Sequence, residues 1–144
     1  SKELCFGFRN SGNVILCGDS NLESKIYYKY SIEPWIQNKG LSQTMHTISQ
    51  NRNITFSAFE GDMNTILIQK EPIDPALFTS ESTIILNAEN IDNESIDSMI
   101  RSRPKIVILA KSISYFYKKE LIRQLNEQDI PFHDIASEGF SEIE

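Results

Sequence analysis

Two short apolar runs constrain the fold of this chain more than any other feature of its sequence. Residues 83–86 and 105–110 show no alternation of apolar and polar side chains, and an amphipathic segment over residues 91–101 lies between them. Strands of this kind are covered on both faces and pair in parallel through right-handed helical crossovers. A further amphipathic segment (115–128) and a last apolar run (130–135) extend the pattern, which therefore predicts a β-α-β-α-β unit.

The first part of the chain has a different rhythm, typical of antiparallel hairpins. Residues 3–18 alternate on both sides of the turn sequence Asn-Ser-Gly-Asn, which predicts a hairpin. A three-residue loop would pair Arg9 with Asn13 and set Cys5 opposite Cys17. The pair would then be either a cross-strand disulfide in an oxidising compartment or two partly buried thiols, and the thiols are the favoured interpretation.

The remaining segments complete a mixed α/β fold. A helix is predicted over residues 22–38, with Pro34 ending or kinking it and Gly40 closing it. Residues 42–53 are polar without a period and are predicted to be an irregular connection. A second hairpin is predicted around residues 54–69. The whole chain, 1–144, is expected to be one domain, with a hairpin-rich part (1–72) and a β-α-β-α-β part with parallel strands (73–144).

The charge of the chain argues against general binding to polyanions. The net charge is −6, and the excess lies in residues 73–144, with thirteen acids against seven Lys and Arg. Residues 101–123 are a local exception, since this segment contains seven Lys and Arg residues and only one acid. The favoured interpretation is that these cations lie at helix ends and on solvent-exposed faces. A strand over residues 106–109 would place the cations before it and after it at opposite ends, so that they could not form one patch. Direct contact with DNA is the alternative, and its candidate residues are Lys111, Lys118, Lys119 and Arg123.

The sequence contains no catalytic motif of specific spacing. It has no Gly-rich phosphate loop and no nucleophile elbow. Asp19 follows an apolar strand, where a metal ligand is often placed, although helix capping is its favoured role. His133 is more typical of a residue at the edge of a core than of a ligand. No cofactor is predicted; the catalytic alternative is a metal-dependent nuclease or phosphodiesterase that uses Asp19 with Asp62, Glu89 or His133.

Three segments carry a family resemblance. Residues 13–22 form an apolar strand that ends in Gly-Asp-Ser before a helix, and residues 30–41 follow it with an aromatic residue and Lys-Gly-Leu. Residues 104–140 close the chain with a strand, a helix and the sequences Pro-Phe-His and Glu-Gly. These segments resemble the C-terminal soluble region of the DNA-internalisation competence protein ComEC in its Bacteroidetes-type form, which in many members is a metallo-β-lactamase-like domain.

The resemblance implies a degenerate domain. A hydrolytic member needs a His-x-His-x-Asp-His run to bind zinc, and this chain has none. Where the family places His-His-Gly, residues 87–90 are Asn-Ala-Glu-Asn, so that Asp19 alone carries over. The implied function is a non-catalytic accessory or interaction domain, whose partners are the rest of its parent membrane protein and the DNA-uptake machinery. It would be tethered to the bacterial inner membrane, on the periplasmic or the cytoplasmic side, without inserting into the membrane itself.

Two further expectations complete the interpretation. The chain begins with Ser1 rather than Met, which suggests a piece of a longer protein. A third possible function, from another class, is a flavodoxin-like module that binds a small molecule or a partner. Its ligand would lie at the carboxyl ends of the parallel strands, near Asn87 and Lys111.

Overall fold

The computed structural model describes residues 4–10, 12–18, 28–48, 52–57, 64–71 and 73–139. The chain divides into two compact units, Glu3–Gln50 and Asn51–Glu144. Each unit has its own β-sheet, and the predicted mixed α/β class is confirmed. The division groups the second hairpin with the parallel strands. The expectation of a single domain over residues 1–144 stays a prediction.

The sheet of the first unit has three strands in the order β1-β2-β3. Strands β1 (Cys5–Asn10) and β2 (Asn13–Gly18) form the predicted antiparallel hairpin. Strand β3 (Ser42–Thr47) pairs in parallel with β2. The prediction of an irregular connection over residues 42–53 is therefore wrong for its first half. Most side chains of β3 are exposed, so the strand forms through backbone pairing with β2 and carries no apolar alternation.

The register of this hairpin differs by one residue from the prediction. Asn10 pairs with Asn13, and Arg9 pairs with Val14, so the loop has two residues instead of three. Two-residue loops are the commonest hairpin connection because their twist matches that of the strands. A slip of one residue moves each side chain to the other face relative to its partner strand.

The observed register separates the two cysteines. Cys5 pairs with Gly18, whereas Cys17 pairs with Phe6. Because neighbouring residues of a strand point to opposite faces, the two thiols lie on opposite faces of the hairpin. The predicted juxtaposition of Cys5 and Cys17 is wrong, and this register is incompatible with a disulfide between them. Cys17 is buried, and its burial raises the pKa of the thiol to about 11.

A π-helical turn (Tyr28–Ile32) leads directly into helix α1 (Glu33–Asn38). Pro34 lies in the first turn of α1, where a missing N–H costs nothing, so it opens this helix instead of ending one. The predicted stop is confirmed, since Gly40 adopts a φ of 65° just after the helix. The earlier part of the predicted helix, residues 22–27, lies outside the described residues.

The core of the first unit joins this helical segment to one face of β2. Val14 and Leu16 of β2 pack with Tyr28 and Ile36, and all four are buried. The hydroxyl of Tyr28 donates a hydrogen bond to Oε1 of Gln43 over 2.7 Å, which connects the helical segment to β3.

The second unit contains a five-stranded sheet whose strands follow the chain order, β4-β5-β6-β7-β8. The strands are β4 (Ile54–Ser57), β5 (Asn64–Ile68), β6 (Ser82–Leu86), β7 (Ile106–Leu109) and β8 (Phe132–Asp134). The pair β4 and β5 is antiparallel, and all later pairs are parallel. The predicted second hairpin and the predicted parallel β-α-β-α-β unit are both confirmed.

The described residues of this unit include four helical segments. They are a 3₁₀ turn (Pro75–Leu77), α2 (Asn93–Arg101), α3 (Tyr115–Glu127) and the short α4 (Ile135–Glu138). Met99 of α2 and Leu125 of α3 belong to the same core cluster as Ile84 and Val107 of the sheet, so both long helices cover one sheet face. Leu67 and Ile85 alternate with these core residues and are also buried, as a sheet covered on both faces requires.

Helix α3 ends in a tight turn that contains no glycine. The N–H of Ile130 donates to the carbonyl oxygen of Leu125, and that of Asp129 donates to Asn126. These two hydrogen bonds form a Schellman motif, which needs a residue in the left-handed backbone conformation just past the helix. Asp129 fills that position with a φ of 54°, and Arg103 adopts a φ of 50° after α2.

In the part of the chain that the structure describes, no helix combines the length and the apolar character needed to cross a membrane.

Candidate functional site at the carboxyl edge of the second sheet

The parallel strands β5–β8 end at one edge of the second sheet, which we name the carboxyl edge. Polar residues lie at the ends of these strands: Gln69 follows β5, Asn87 follows β6, Ser112 lies shortly after β7, and Asp134 ends β8. Ligands of α/β folds bind at the carboxyl ends of parallel strands. The carboxyl edge is therefore the first candidate for a binding site.

Gln69, Asn87 and Ser112 form a hydrogen-bonded row across three strand ends, which we name the amide row. Nδ2 of Asn87 donates to Oε1 of Gln69 over 2.8 Å, and Oγ of Ser112 donates to Oδ1 of Asn87 over 2.8 Å. Nε2 of Gln69 donates to the carbonyl oxygen of Arg52 over 2.8 Å. The three side chains are half-buried and hold the loops of this edge together.

Asn53 closes the same edge from the side of β4. Its Oδ1 accepts hydrogen bonds from the backbone N–H groups of Gln69 and Lys70, at 2.7 and 2.9 Å. Its Nδ2 donates to the carbonyl oxygen of Lys70 over 2.7 Å. One side chain thus satisfies three backbone groups just after β5.

Asp134 is a buried carboxylate at the end of β8, and Lys118 of α3 pairs with it. The Nζ–Oδ2 distance is 3.2 Å, and the side chains are 16% (Lys118) and 7% (Asp134) exposed. Oδ1 of Asp134 also accepts from the backbone N–H of Ala136 at 3.2 Å, and Oδ2 accepts from Oγ of Ser137 at 3.0 Å. The carboxylate therefore joins α3 to β8 and caps α4 at the same time.

Both ring nitrogens of His133 lie close to oxygen atoms. Nδ1 is 3.2 Å from Oε2 of Glu138, and Nε2 is 2.7 Å from the carbonyl oxygen of Gly139. A carbonyl oxygen only accepts, so Nε2 carries the proton of that hydrogen bond. These contacts agree with the favoured interpretation of His133 as a residue that bonds its neighbours, and its alternative role as a metal ligand stays a prediction.

A second set of hydrogen bonds at this edge links the starts of α2 and α3. The hydroxyl of Tyr117 donates to the carbonyl oxygen of Ile91, and the N–H of Asp92 donates to Oε1 of Glu71. Burial raises the pKa of Tyr117 to about 12, and the nearby carboxylates of Glu71 and Asp92 add to the rise. Asp92 caps α2 by accepting from the N–H of Ser95 at 2.6 Å, which lowers the pKa of its carboxyl.

The four candidate DNA-contacting cations have different surroundings. Lys111 is exposed in the connection from β7 to α3, and Lys119 is exposed on α3. Lys118 is bound to Asp134. Arg123 lies between Glu120 and Glu127 and forms ion pairs with both. DNA contact by these residues stays a prediction. Lys111 and Lys119 are exposed, whereas the exposed guanidinium of Arg123 is paired with two carboxylates.

The ion pairs around Arg123 shift the pKa values of the groups that form them. Hydrogen bonds from Arg123 and Gln124 lower the pKa of Glu120 to about 2, and the two carboxylates raise the pKa of Arg123. The charge of the arginine is thus balanced on its own helix.

Tyr115 and Phe116, which we name the aromatic pair, open helix α3 at the carboxyl edge. Their side chains are 67% and 84% exposed. The two rings meet edge to face, with centroids 5.6 Å apart and planes at 78°. The N–H of Ser114 donates to the carbonyl oxygen of Glu89 over 2.9 Å, so the start of the helix is held against the loop that follows β6.

The structure describes two of the four candidate metal-binding residues, Glu89 and His133. Asp19 and Asp62 lie outside the described residues. Glu89 is exposed in the loop that follows β6, and His133 lies within β8, the last strand of the sheet. Within the described ranges, no group of three or more His, Cys, Asp or Glu side chains is arranged to hold a metal ion.

Comparison with known families decides the affiliation of the chain. The family model of the ComEC C-terminal domain matches residues 1–144, the whole chain. The chain belongs to the ComEC C-terminal domain family. No curated protein and no solved structure matches it significantly. The resemblance seen in the sequence is therefore confirmed at the level of the family, and it connects this domain to a membrane protein of DNA uptake and competence.

Sequence reasoning missed two features of this ComEC domain. The aromatic pair was treated only as the start of a helix, although Tyr115 and Phe116 precede the inward-facing positions Leu121, Ile122 and Leu125 that define the apolar stripe. The partnership of Asp134 with Lys118 was also missed. Its signal is a carboxylate that directly ends an apolar strand, where burial demands a counter-ion.

Proposed function

We propose that this domain is a non-catalytic interaction domain of a DNA-uptake membrane protein. The proposal rests on one observation: the polar side chains at the carboxyl edge are hydrogen-bonded to one another. The amide row is hydrogen-bonded within itself, and Asp134 is bound by Lys118 and Ser137. Groups engaged in this way hold loops in place, and family membership supplies the setting in DNA uptake.

The flavodoxin-like alternative receives less support from the topology. Folds of that kind bind ligands where the strand order reverses. Here β5, β6, β7 and β8 adjoin in chain order, and both α2 and α3 lie on one face of the sheet. The strand order therefore provides no reversal that would form a cleft near Asn87 and Lys111. A small-molecule site at this position remains a prediction.

We further propose that the scaffold derives from a metallo-β-lactamase-like domain that has lost its zinc ligands. The support is the resemblance of residues 13–22, 30–41 and 104–140, together with layers of mixed sheet and helices. The Bacteroidetes-type origin of the parent protein rests on the same resemblance. The parent protein would tether the domain to the inner membrane.

A cleavage assay tests the absence of catalysis. The purified chain is incubated with single-stranded and duplex DNA in the presence of Mg²⁺, Mn²⁺ or Zn²⁺, and we expect no products above background. The variant Asp19→Asn tests the candidate ligand, with Asp97→Asn, an exposed acid of α2, as the matched control. Metal-dependent cleavage that is lost in Asp19→Asn and kept in Asp97→Asn would establish the nuclease alternative.

A transformation assay tests the role in DNA uptake. In the parent bacterium, deletion of the region that encodes residues 1–144 is expected to lower transformation while the parent protein still reaches the membrane. Asp19→Asn is expected to transform normally, because the proposal assigns no chemistry to this residue. Normal transformation after deletion of the whole domain would contradict the proposal.

A further inference from the structure

We propose that the aromatic pair is a stacking platform for single-stranded DNA, and that Lys111 and Lys119 bind the phosphate backbone beside it. The inference rests on the proposed function in DNA uptake. It adds to that function the surface that makes contact and the form of the DNA.

The exposure of the aromatic pair carries the first step. Tyr115 and Phe116 are 67% and 84% exposed, and in the described part of the chain only Tyr30 is a comparably exposed large hydrophobic residue. The edge-to-face contact between the two rings fixes them relative to each other. Exposed aromatic faces of this kind bind nucleobases by stacking, with little dependence on sequence.

Stacking selects the form of the nucleic acid. In a duplex each base is covered above and below by its neighbours, and only its edges are accessible in the grooves. An exposed aromatic side chain stacks directly on an unpaired base, whereas in a duplex it must first unstack a base step at a cost in free energy. The aromatic pair should thus distinguish single-stranded DNA from duplex DNA.

Two exposed lysines near the aromatic pair can bind a phosphate backbone. Lys119 is four residues after Tyr115 and three after Phe116 on α3, so its side chain emerges beside both rings. Lys111 precedes the pair in the connection from β7. Both lysines are exposed, whereas the other cations of α3 are bound to acids. Acids also lie near this end of α3: Glu89 accepts the backbone hydrogen bond of Ser114, and the carboxylates of Glu71 and Asp92 lie near Tyr117.

Binding is measured by the fluorescence anisotropy of a labelled oligothymidylate at low salt, with a duplex of equal length as competitor. Phe116→Ala is expected to weaken binding roughly five- to a hundred-and-fiftyfold, which is the range for loss of one stacked base. Phe116→Trp should retain or tighten binding. Tyr30→Ala, which removes an exposed aromatic residue of the first unit, is the matched control and should bind as the wild type does.

The salt dependence of binding tests the lysines. Each phosphate contact to a single strand contributes a slope of about −0.7 to log K against log salt. The variant Lys111→Gln/Lys119→Gln is expected to reduce the magnitude of the slope by about 1.4 on the same scale. The control Arg101→Gln, an exposed cation at the end of α2, should leave the slope unchanged. Glu89→Gln should tighten binding, because it removes a negative charge beside the platform.

Three results would overturn the inference: no binding at low salt, equal affinity for duplex DNA, or binding that Phe116→Ala and Tyr115→Ala leave unchanged. Vesicles of anionic phospholipid form a further arm of the experiment. Binding to vesicles through the aromatic pair without binding to oligothymidylate would assign the surface to a membrane and reject the DNA platform.

The outcomes also separate this inference from the function on which it rests. If deletion of the domain lowers transformation while Phe116→Ala binds DNA and transforms normally, the domain acts in DNA uptake and the platform is wrong. If the chain cleaves DNA, the non-catalytic function fails irrespective of the aromatic pair. Because both rings are exposed, these variants should keep the wild-type thermal unfolding transition, which circular dichroism can check.

Discussion

Nζ of Lys118 lies 3.2 Å from Oδ2 of Asp134, across the junction between α3 and β8. Both side chains are largely buried, and the carboxylate also binds Ser137 and the backbone of Ala136. An ion pair at this depth behaves differently from a surface pair, because removal of one partner leaves the other charged and poorly solvated. The contact thus joins α3 to the end of β8.

Lys118→Met should therefore destabilise the protein by about 3 kcal/mol, since it leaves the carboxylate of Asp134 without its counter-ion. The free energy of unfolding in urea measures this effect. Lys119→Met removes the exposed neighbouring lysine and serves as the matched control, with little expected change. Equal stability of the two variants would show that the ion pair contributes nothing.

Asn87→Ala should cost about 2 kcal/mol of unfolding free energy, because it deprives both Gln69 and Ser112 of their partner in a half-buried row. Asn90→Ala, at an exposed position in the same loop, is the control. A double-mutant cycle with Ser112→Ala should reveal a coupling energy. Additive effects of the two substitutions would indicate that the amide row does not act as a unit.

Asp129→Gly should stabilise the protein by about 1 kcal/mol, since glycine adopts the positive φ of this position without a steric penalty. Thermal unfolding followed by circular dichroism measures the gain as a higher Tm. Asp129→Ala, which keeps a Cβ at the same position, should give no such gain. A lower Tm for the glycine variant would argue that the aspartate side chain supports the turn.

Stability should decrease at alkaline pH through two groups. The pKa of Cys17 is raised to about 11 from an ordinary value of 9.0, and that of Tyr117 to about 12 from 10.0, in both cases mainly by burial. A raised pKa means that the folded state holds its proton longer than the unfolded chain does. The stabilisation is complete below pH 9 and is lost between pH 9 and 12.

Urea unfolding at a series of pH values checks this dependence. Cys17→Ala should flatten the curve between pH 9 and 11, and Tyr117→Phe should flatten it between pH 10 and 12. Cys5→Ala is the control for the cysteine variant, since Cys5 is less buried. An unchanged curve for Cys17→Ala would show that this thiol does not link folding to pH.

Much of the second unit could be predicted from the sequence because its signals are local and redundant. Residues 83–86 and 106–109 are short apolar runs with a helical pattern between them, and one order of parallel strands accommodates them with short connections. The helix over residues 115–127 is amphipathic along its length. Local pattern and tertiary packing agree in this region, so its elements were predicted within a few residues.

The first unit was harder to predict for two separate reasons. Strand β3 is held by the backbone of β2, and its exposed side chains carry no apolar alternation. The register of the first hairpin depends on one residue of loop length, which the turn sequence alone does not specify. That residue decides whether Cys5 and Cys17 share a face.

The candidate site was predictable in position but not in its contacts. The carboxyl ends of the strands, and Asn87 among them, follow from the parallel topology. The bonds of Asn87 to Gln69 and Ser112 join three separate loops, and sequence spacing does not show them. The exposure of the aromatic pair likewise depends on which helix face meets the sheet.

The order of strands in the second sheet has a consequence for biosynthesis. As the ribosome releases the chain, β5, β6, β7 and β8 emerge in the same sequence in which they adjoin. Each newly translated strand can dock on an edge that is already formed, and no segment has to wait for a later one to be inserted between its neighbours. Strand pairing in this unit can therefore proceed in the direction of translation, although the common core is complete only after Leu121, Leu125 and Ile130 have been released.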